Sequence, residues 1–312
     1  SCLLARSFGN QLTLTLHGIH STHLPMQEDI VKLGKWVQRQ PVQSQTTNDL
    51  AADPRPEARA EREAVCWSNH WNPANLPNLG EIQQICSSVG PQMSGIGDAS
   101  LNICGQELFA TAKKGKGKSP GIDNWTSAHL CLLPLEFWDK VALLWKTCLD
   151  FGCVPQAWKQ VRMALVPKSA GGVRPLAVAA ILWRTCMSAT LRHLRPWIKS
   201  WAPPELFGGL PGGGIGDVHD LLHEEVPEAK TRRKSLVGCK ADVRRCFDSV
   251  CIVTALEVWK WLGAPQSLCQ VISSFYTGQR RWFSCSGHYH PQPILATRGL
   301  LQGCPASPCL LK

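Results

Sequence analysis

The stretch KADVRRCFDSV, residues 240–250, decides how this chain is read. An apolar run, SLVGC (235–239), leads into it, and the apolar periodic segment VCIVTALEVWKWLG (250–263) follows. The pattern predicts a strand that delivers Asp242 at its end, a short turn, then a helix. A carboxylate at a strand end offers the oxygen ligands that hard cations prefer. Such ions serve phosphoryl transfer by holding the attacking and leaving oxygens in line. Asp248, followed by Ser249, reads as an ordinary cap of the next helix. Asp242 lies too far before that helix to be its cap.

Outward from this stretch, the C-terminal two thirds are well patterned. EFWDKVALLWKTCLDFG (136–152) carries a helical stripe of Phe137, Val141, Leu144, Trp145 and Cys148, ended by Gly152. VRMALVP (161–167), a turn at SAGG, and VRPLAV (173–178) form a hairpin. ILWRTCMSATLRHLRPWIKSW (181–201) is a long helix interrupted near Pro196, PGGGIG (211–216) a loop, and DVHDLLHEEV (217–226) a short helix. Residues 1–60 show no sustained periodicity and read as linker with one short helix. Helices are expected around EIQQICSSV (81–89) and SLNICGQELFATA (100–112).

Charge is uneven. Residues 1–110 hold 7 Lys/Arg against 10 Asp/Glu, and residues 111–312 hold 26 against 13. A basic excess of that size suits a polyanionic partner, although a solvated basic surface would also produce it. Lys113, Lys114, Lys116 and Lys118 alternate with glycine in a loop that could follow a phosphate backbone, but it does not match a Walker P-loop. The 15 cysteines include no CxxC pair, which argues against structural zinc and a secreted disulfide framework, and for an intracellular protein of nucleus or cytoplasm. No stretch is long and apolar enough to span a membrane.

The segments GKSPGIDNWTSAHL, WKQVRMALVPKSAGGVRPLAV, LFGGLPGGGIGDVHDLL, KADVRRCFDSV and TRGLLQGCPASP resemble, in sequence and in order, the successive motifs of reverse transcriptases. The likeness is to the non-LTR retrotransposon and group II intron branch and covers residues 118–308. The resemblance implies an α+β fold of the right-hand polymerase kind, with a fingers subdomain and a palm related to the split βαβ, ferredoxin-like arrangement. The implied organisation is an N-terminal extension of unknown function over residues 1–110, fingers over 111–235 and palm over 236–312. The implied activity is RNA-directed DNA polymerisation, a nucleotidyl transfer that adds dNTPs to a DNA or RNA primer on an RNA template.

Residue by residue, the resemblance makes Asp242 the metal-binding carboxylate of motif A, with the backbone carbonyl of Val243 as its companion and Mg²⁺ or Mn²⁺ as the ion. Phe247 matches the aromatic gate that excludes a 2′-hydroxyl. Lys168 and Arg174 match the cations on the incoming triphosphate, a point charge and a planar fork. Gln302 and Gly303 match the motif B pair at the nucleotide and template, and Arg298 opens that motif. Ala306 stands where the family more often has Leu. These groups are expected around one cleft, with Gln302 across from Asp242 and Lys168 and Arg174 leaning over it. The family's motif C acid and thumb have no counterpart before Lys312, so the 312-residue chain is expected to show little polymerase activity and poor solubility. A nucleic-acid-binding relic and a maturase-like RNA-binding protein remain as alternatives.

Overall fold

The computed structural model describes residues 55–95, 101–168, 172–203, 206–208, 214–234 and 238–311, together with the backbone of residues 12–17. The turn at 169–171 and the glycine run at 209–213 lie outside the described residues. So do the side chains of residues 238–241.

Elements run in the order β1 (Leu12–His17), α1 (Pro56–Trp71), α2 (Leu79–Val89), α3 (Gly105–Lys114), α4 (Ser127–Leu130), α5 (Leu135–Phe151), β2 (Gln160–Pro167), β3 (Val173–Val178), α6 (Ile181–His193), α7 (Arg195–Trp201), α8 (Ile215–Thr231), β4 (Gly238–Val243), α9 (Cys246–Ser249), α10 (Ile252–Trp261), α11 (Gln266–Tyr276), β5 (Arg280–Cys285), β6 (His288–Tyr289), β7 (Ile294–Leu295) and α12 (Ser307–Leu310). The fold is mixed α+β with small sheets. The hairpin β2–β3 pairs antiparallel as its pattern predicts, with Val166 opposite Arg174. Strand β2 is also parallel to β5, Met163 facing Phe283, and β5 carries β6 and β7 on antiparallel edges.

Several expectations are corrected. The stretch read as linker contains strand β1, which pairs antiparallel with β4 and sets Thr13 opposite Asp242. This pair is separate from the five-stranded sheet. Lys113 and Lys114 close helix α3 and are not in the loop, which begins at the cap Gly115. The expected short helix at 217–226 is the longer α8, running through Pro227. The long helix at 181–201 is two helices joined at Leu194, because Pro196 belongs in the first turn of α7, where a missing N–H costs nothing.

The core is rich in tryptophan. Helix α5 buries Trp138, Val141, Trp145, Cys148 and Leu149, while Leu144 from the expected stripe faces outward. Helix α6 is buried along most of its length and places Trp183 flat against Phe275 of α11, ring centroids 3.8 Å apart and planes 8° from parallel. Trp145 and Trp158 pack around Trp183 at 6.0 and 6.4 Å. Thr185 and Thr190, also buried, return their hydroxyls to the helix carbonyls of Ile181 and Cys186, whereas the buried Trp145 indole N–H has no hydrogen-bond partner. Helix α1 packs through Trp67 and Trp71 onto the same core. The cysteines among the described residues are free, and none of their helices is long and apolar enough to cross a membrane.

Candidate nucleotide site

Strand β4 ends at Val243, and the chain reverses through Arg245, whose φ of 51° is left-handed. That conformation costs a non-glycine residue about 1–2 kcal/mol. The Arg245 guanidinium lies over the Trp67 ring, 4.8 Å from its centroid, a contact that helps hold the turn. The turn delivers Phe247, half-buried, and Asp248, 3% exposed, in the short helix α9.

The segment 297–303 docks on this turn with its backbone. Leu300 N–H donates to Phe247 O at 2.8 Å, and Gly299 N–H donates to Val250 O at 2.9 Å. The amides of Thr297 and Arg298 both donate to Trp71 O at the end of α1, and Arg298 Nε donates to His70 O at 2.8 Å. On the other side Ala177 N–H of β3 donates to Gln302 O at 2.9 Å. The hairpin β2–β3, the turn at 244–250 and the segment 297–303, far apart in sequence, therefore meet at one place.

Beneath them lies a buried polar cluster. Asp248 Oδ1 accepts from Trp71 Nε1 at 3.2 Å, and Oδ2 accepts from Gln302 Nε2 at 2.6 Å. Burial pushes the Asp248 carboxyl above its ordinary range, against the two donated hydrogen bonds and the nearby Arg281 and Arg245. Arg281 is itself 2% exposed. It donates to Gly299 O at 2.6 Å and to Gln279 Oε1 at 3.0 Å, and stacks over Trp71 at 4.3 Å. Its burial lowers the guanidinium to about 10. His70, half-buried, is pushed down to about 4 by burial first and then by Arg245, Arg298 and Arg244, so it is neutral at pH 7.

Asp242 and Val243 are exposed at the end of β4. Lys168 and Arg174 are exposed near the closed end of the hairpin, which Lys168 N–H seals by donating to Gly172 O at 3.1 Å. Lys113, Lys114, Lys116 and Lys118 are exposed on and after α3, Lys113 over the Phe109 ring at 4.1 Å. No hydrogen bond or ion pair among the described residues joins Asp242, Lys168 or Arg174 to Gln302. Gln302 reaches Asp248 instead, the residue read from sequence as a helix cap; the cap position of α10 is Cys251. Trp71, His70, Asp248 and Arg281 are the participants that sequence reasoning missed. The one signal for Asp248 was an acid directly beside the expected gate, Phe247.

The donor chemistry at Asp242 fits a hard divalent cation, since a carboxylate and a carbonyl supply oxygen alone. It fits part of a site: no group of three or more His, Cys, Asp or Glu stands together among the described residues.

Comparison with known proteins places this arrangement. The family model described as reverse transcriptase (RNA-dependent DNA polymerase) matches residues 166–312. The chain is also similar to the RNA-directed DNA polymerase from mobile element jockey of Drosophila melanogaster, 27% identical over 203 residues. That alignment covers 62% of this chain and 22% of the relative, so the chain spans about a fifth of the relative's length. Strand β3, the Asp242 turn and the Gln302 segment all fall within the matched region, and residues 166–312 hold a reverse transcriptase domain of the non-LTR type.

Proposed function

We propose that this domain serves RNA-directed DNA polymerisation in a retroelement, adding dNTPs to a DNA or RNA primer on an RNA template. The observation that carries this reading is the backbone docking of the Gln302 segment on both the Phe247 turn and β3. Elements matching three polymerase motifs converge there. In this reading Asp242 and the Val243 carbonyl hold Mg²⁺ or Mn²⁺, with phosphate oxygens and water completing the shell. The bound ion would neutralise charge as the primer hydroxyl attacks the α-phosphorus and pyrophosphate leaves. Lys168 and Arg174 hold the triphosphate, Phe247 walls off the sugar's 2′ side, and Gln302 and Gly303 receive the nucleotide. Residues 111–235 would act as fingers and 236–312 as palm.

The test is primer extension on an RNA template, with Mg²⁺ and four dNTPs, by the polypeptide that carries residues 1–312. Wild type extends, and Asp242→Ala loses extension while retaining template–primer affinity. Extension by the Ala variant at the wild-type rate would remove Asp242 from the chemistry. The lack of a carboxylate cluster among the described residues favours a second reading, nucleic-acid binding without synthesis. It predicts that neither protein extends a primer while both bind one.

Both readings use the lysines. Lys116 and Lys118 lie in the exposed turn after α3 and are expected to contact backbone phosphates. Replacing both by Ala should weaken binding evenly across template sequences. It should also flatten the dependence of log affinity on log salt by roughly 0.7–0.9 per lost contact. An unchanged slope would show that they are only solvated charges.

A further inference from the structure

A carboxylate is an expensive group to bury, and Asp248 is buried where a helix cap could have stayed in water. Its two oxygens are divided between two distant parts of the chain: Oδ1 serves the Trp71 indole at the end of α1, and Oδ2 serves the Gln302 amide in the motif B segment. Among the described residues, no lysine or arginine forms a salt bridge with it. Arg281 supports it from a distance, spending its own hydrogen bonds on Gly299 O and Gln279. Asp248 is thus a junction whose direct partners are two neutral donors.

The chemistry of that junction fixes something a glutamine does not fix by itself. A carboxamide can turn over and exchange its oxygen for its NH₂ at little cost. An ionised carboxylate accepts and never donates, so it admits the Gln302 amide in one sense alone. The NH₂ faces Asp248 and the carbonyl oxygen faces away. Gln302 is anchored at its backbone as well, where its own carbonyl accepts from Ala177 N–H. With both ends held, Gln302 presents an oriented acceptor.

We propose that Asp248 is the positioning residue for Gln302: the chain of contacts Trp71–Asp248–Gln302 fixes the carboxamide with its oxygen toward the bound deoxynucleotide and couples nucleotide binding to helix α1. This rests on the nucleotide-binding role of Gln302 proposed above. The deoxynucleotide contributes a hydrogen-bond donor to that oxygen. Asp248→Asn conserves the shape but turns an acceptor toward a donor at one of its two partners. An Asn that aims its own NH₂ at Gln302 forces the carboxamide to invert and offer a donor to the ligand.

Two measurements test this, one of them independent of polymerase activity. In the 312-residue chain carrying ¹⁵N-glutamine, the Gln302 side-chain amide protons are expected to exchange slowly with water. They should shift and exchange at least tenfold faster in Asp248→Asn, with the far-UV circular dichroism of the fold unchanged. A Gln302 amide indifferent to the Asn substitution overturns the inference. In primer extension by the polypeptide that carries residues 1–312, Asp248→Asn should raise KM for dNTP roughly tenfold or more with kcat little altered, as expected when a charge-assisted hydrogen bond is lost. Gln302→Ala should do the same, and the double variant should be no worse than either single one. Trp71→Phe, which removes the indole donor and keeps a ring, should move KM in the same direction by less. Additive effects of the two single variants, or equal losses in kcat and KM, overturn positioning while leaving the polymerase reading intact. Absence of wild-type extension overturns the polymerase reading, and the amide exchange then decides the positioning.

Discussion

Trp183→Ala is expected to cost about 4 kcal/mol of folding stability, enough to leave a domain of ordinary stability largely unfolded on mild warming. Trp183 is 0% exposed. Its ring stacks on Phe275, and Trp145 meets it edge-on. Its indole N–H donates to Cys304 Sγ at 3.5 Å. Truncation removes on the order of 150–250 Å² of buried aromatic surface, plus about 0.5–1.5 kcal/mol for the stacked pair. The neighbours that would have to collapse into the hole are themselves large rings anchored on three different elements: Trp145 on α5, Trp158 in the 3-10 turn Gln156–Lys159, and Phe275 on α11. Relaxation is therefore limited, and the cavity cost stays near the upper end of its range. Urea unfolding checks this: the midpoint should fall sharply at constant slope. Trp125→Ala is the control, since Trp125 is 49% exposed and should change stability by less than about 0.5 kcal/mol. Equal midpoints for the two variants would show that the stacked layer carries no special weight. Because Trp183 also touches Cys304, next to Gly303, the same substitution should loosen the Gln302 segment.

The parts of this fold that could be read from sequence are those whose partners are close in the chain. The hairpin β2–β3 is legible because two alternating apolar runs flank a glycine-rich turn, and α5 because its stripe stops at Gly152. Strand β5 is different. Its sequence RRWFSC opens with two arginines, the pattern of an exposed edge, yet Arg281 is buried and the strand lies parallel to β2 more than a hundred residues away. Nothing local announces that Arg281 is held by Gly299 O, Gln279 and the face of Trp71. Strand β1 was invisible for the same reason: the six residues LTLTLH in a weakly patterned region acquire meaning only beside β4. At the candidate site, ordered motifs picked out Asp242, Phe247, Gln302 and Gly303 as expected site residues. The motifs could not distinguish a capping aspartate from Asp248, because its burial depends on Trp71, 177 residues earlier. Local patterns mark candidate residues; their packing partners are set by contacts far along the chain.

Gly303→Ala is expected to disrupt the site from the backbone outward. Gly303 sits at φ +112°, where an L side chain is strained by roughly 1–3 kcal/mol. The space is also closed, because an added Cβ would lie 2.5 Å from Ala177 O, a backbone atom that cannot swing aside. Either β3 or the Gln302 segment must move, and the bond from Ala177 N–H to Gln302 O spans the same gap. The two penalties can be separated. Gly117 has a similarly left-handed φ of +83° but nothing within 4 Å of an added Cβ, so Gly117→Ala carries the strain without the clash. Gly303→Ala should therefore lose at least about 1–2 kcal/mol more stability than Gly117→Ala in urea unfolding. It should also weaken deoxynucleotide binding, while Gly117→Ala leaves that binding unchanged. If the two variants unfold at the same midpoint, the close approach of β3 to the Gln302 segment is not a feature of the folded chain. A stability loss confined to Gly303→Ala, with nucleotide affinity intact, would instead separate the docking of this segment from its role at the nucleotide.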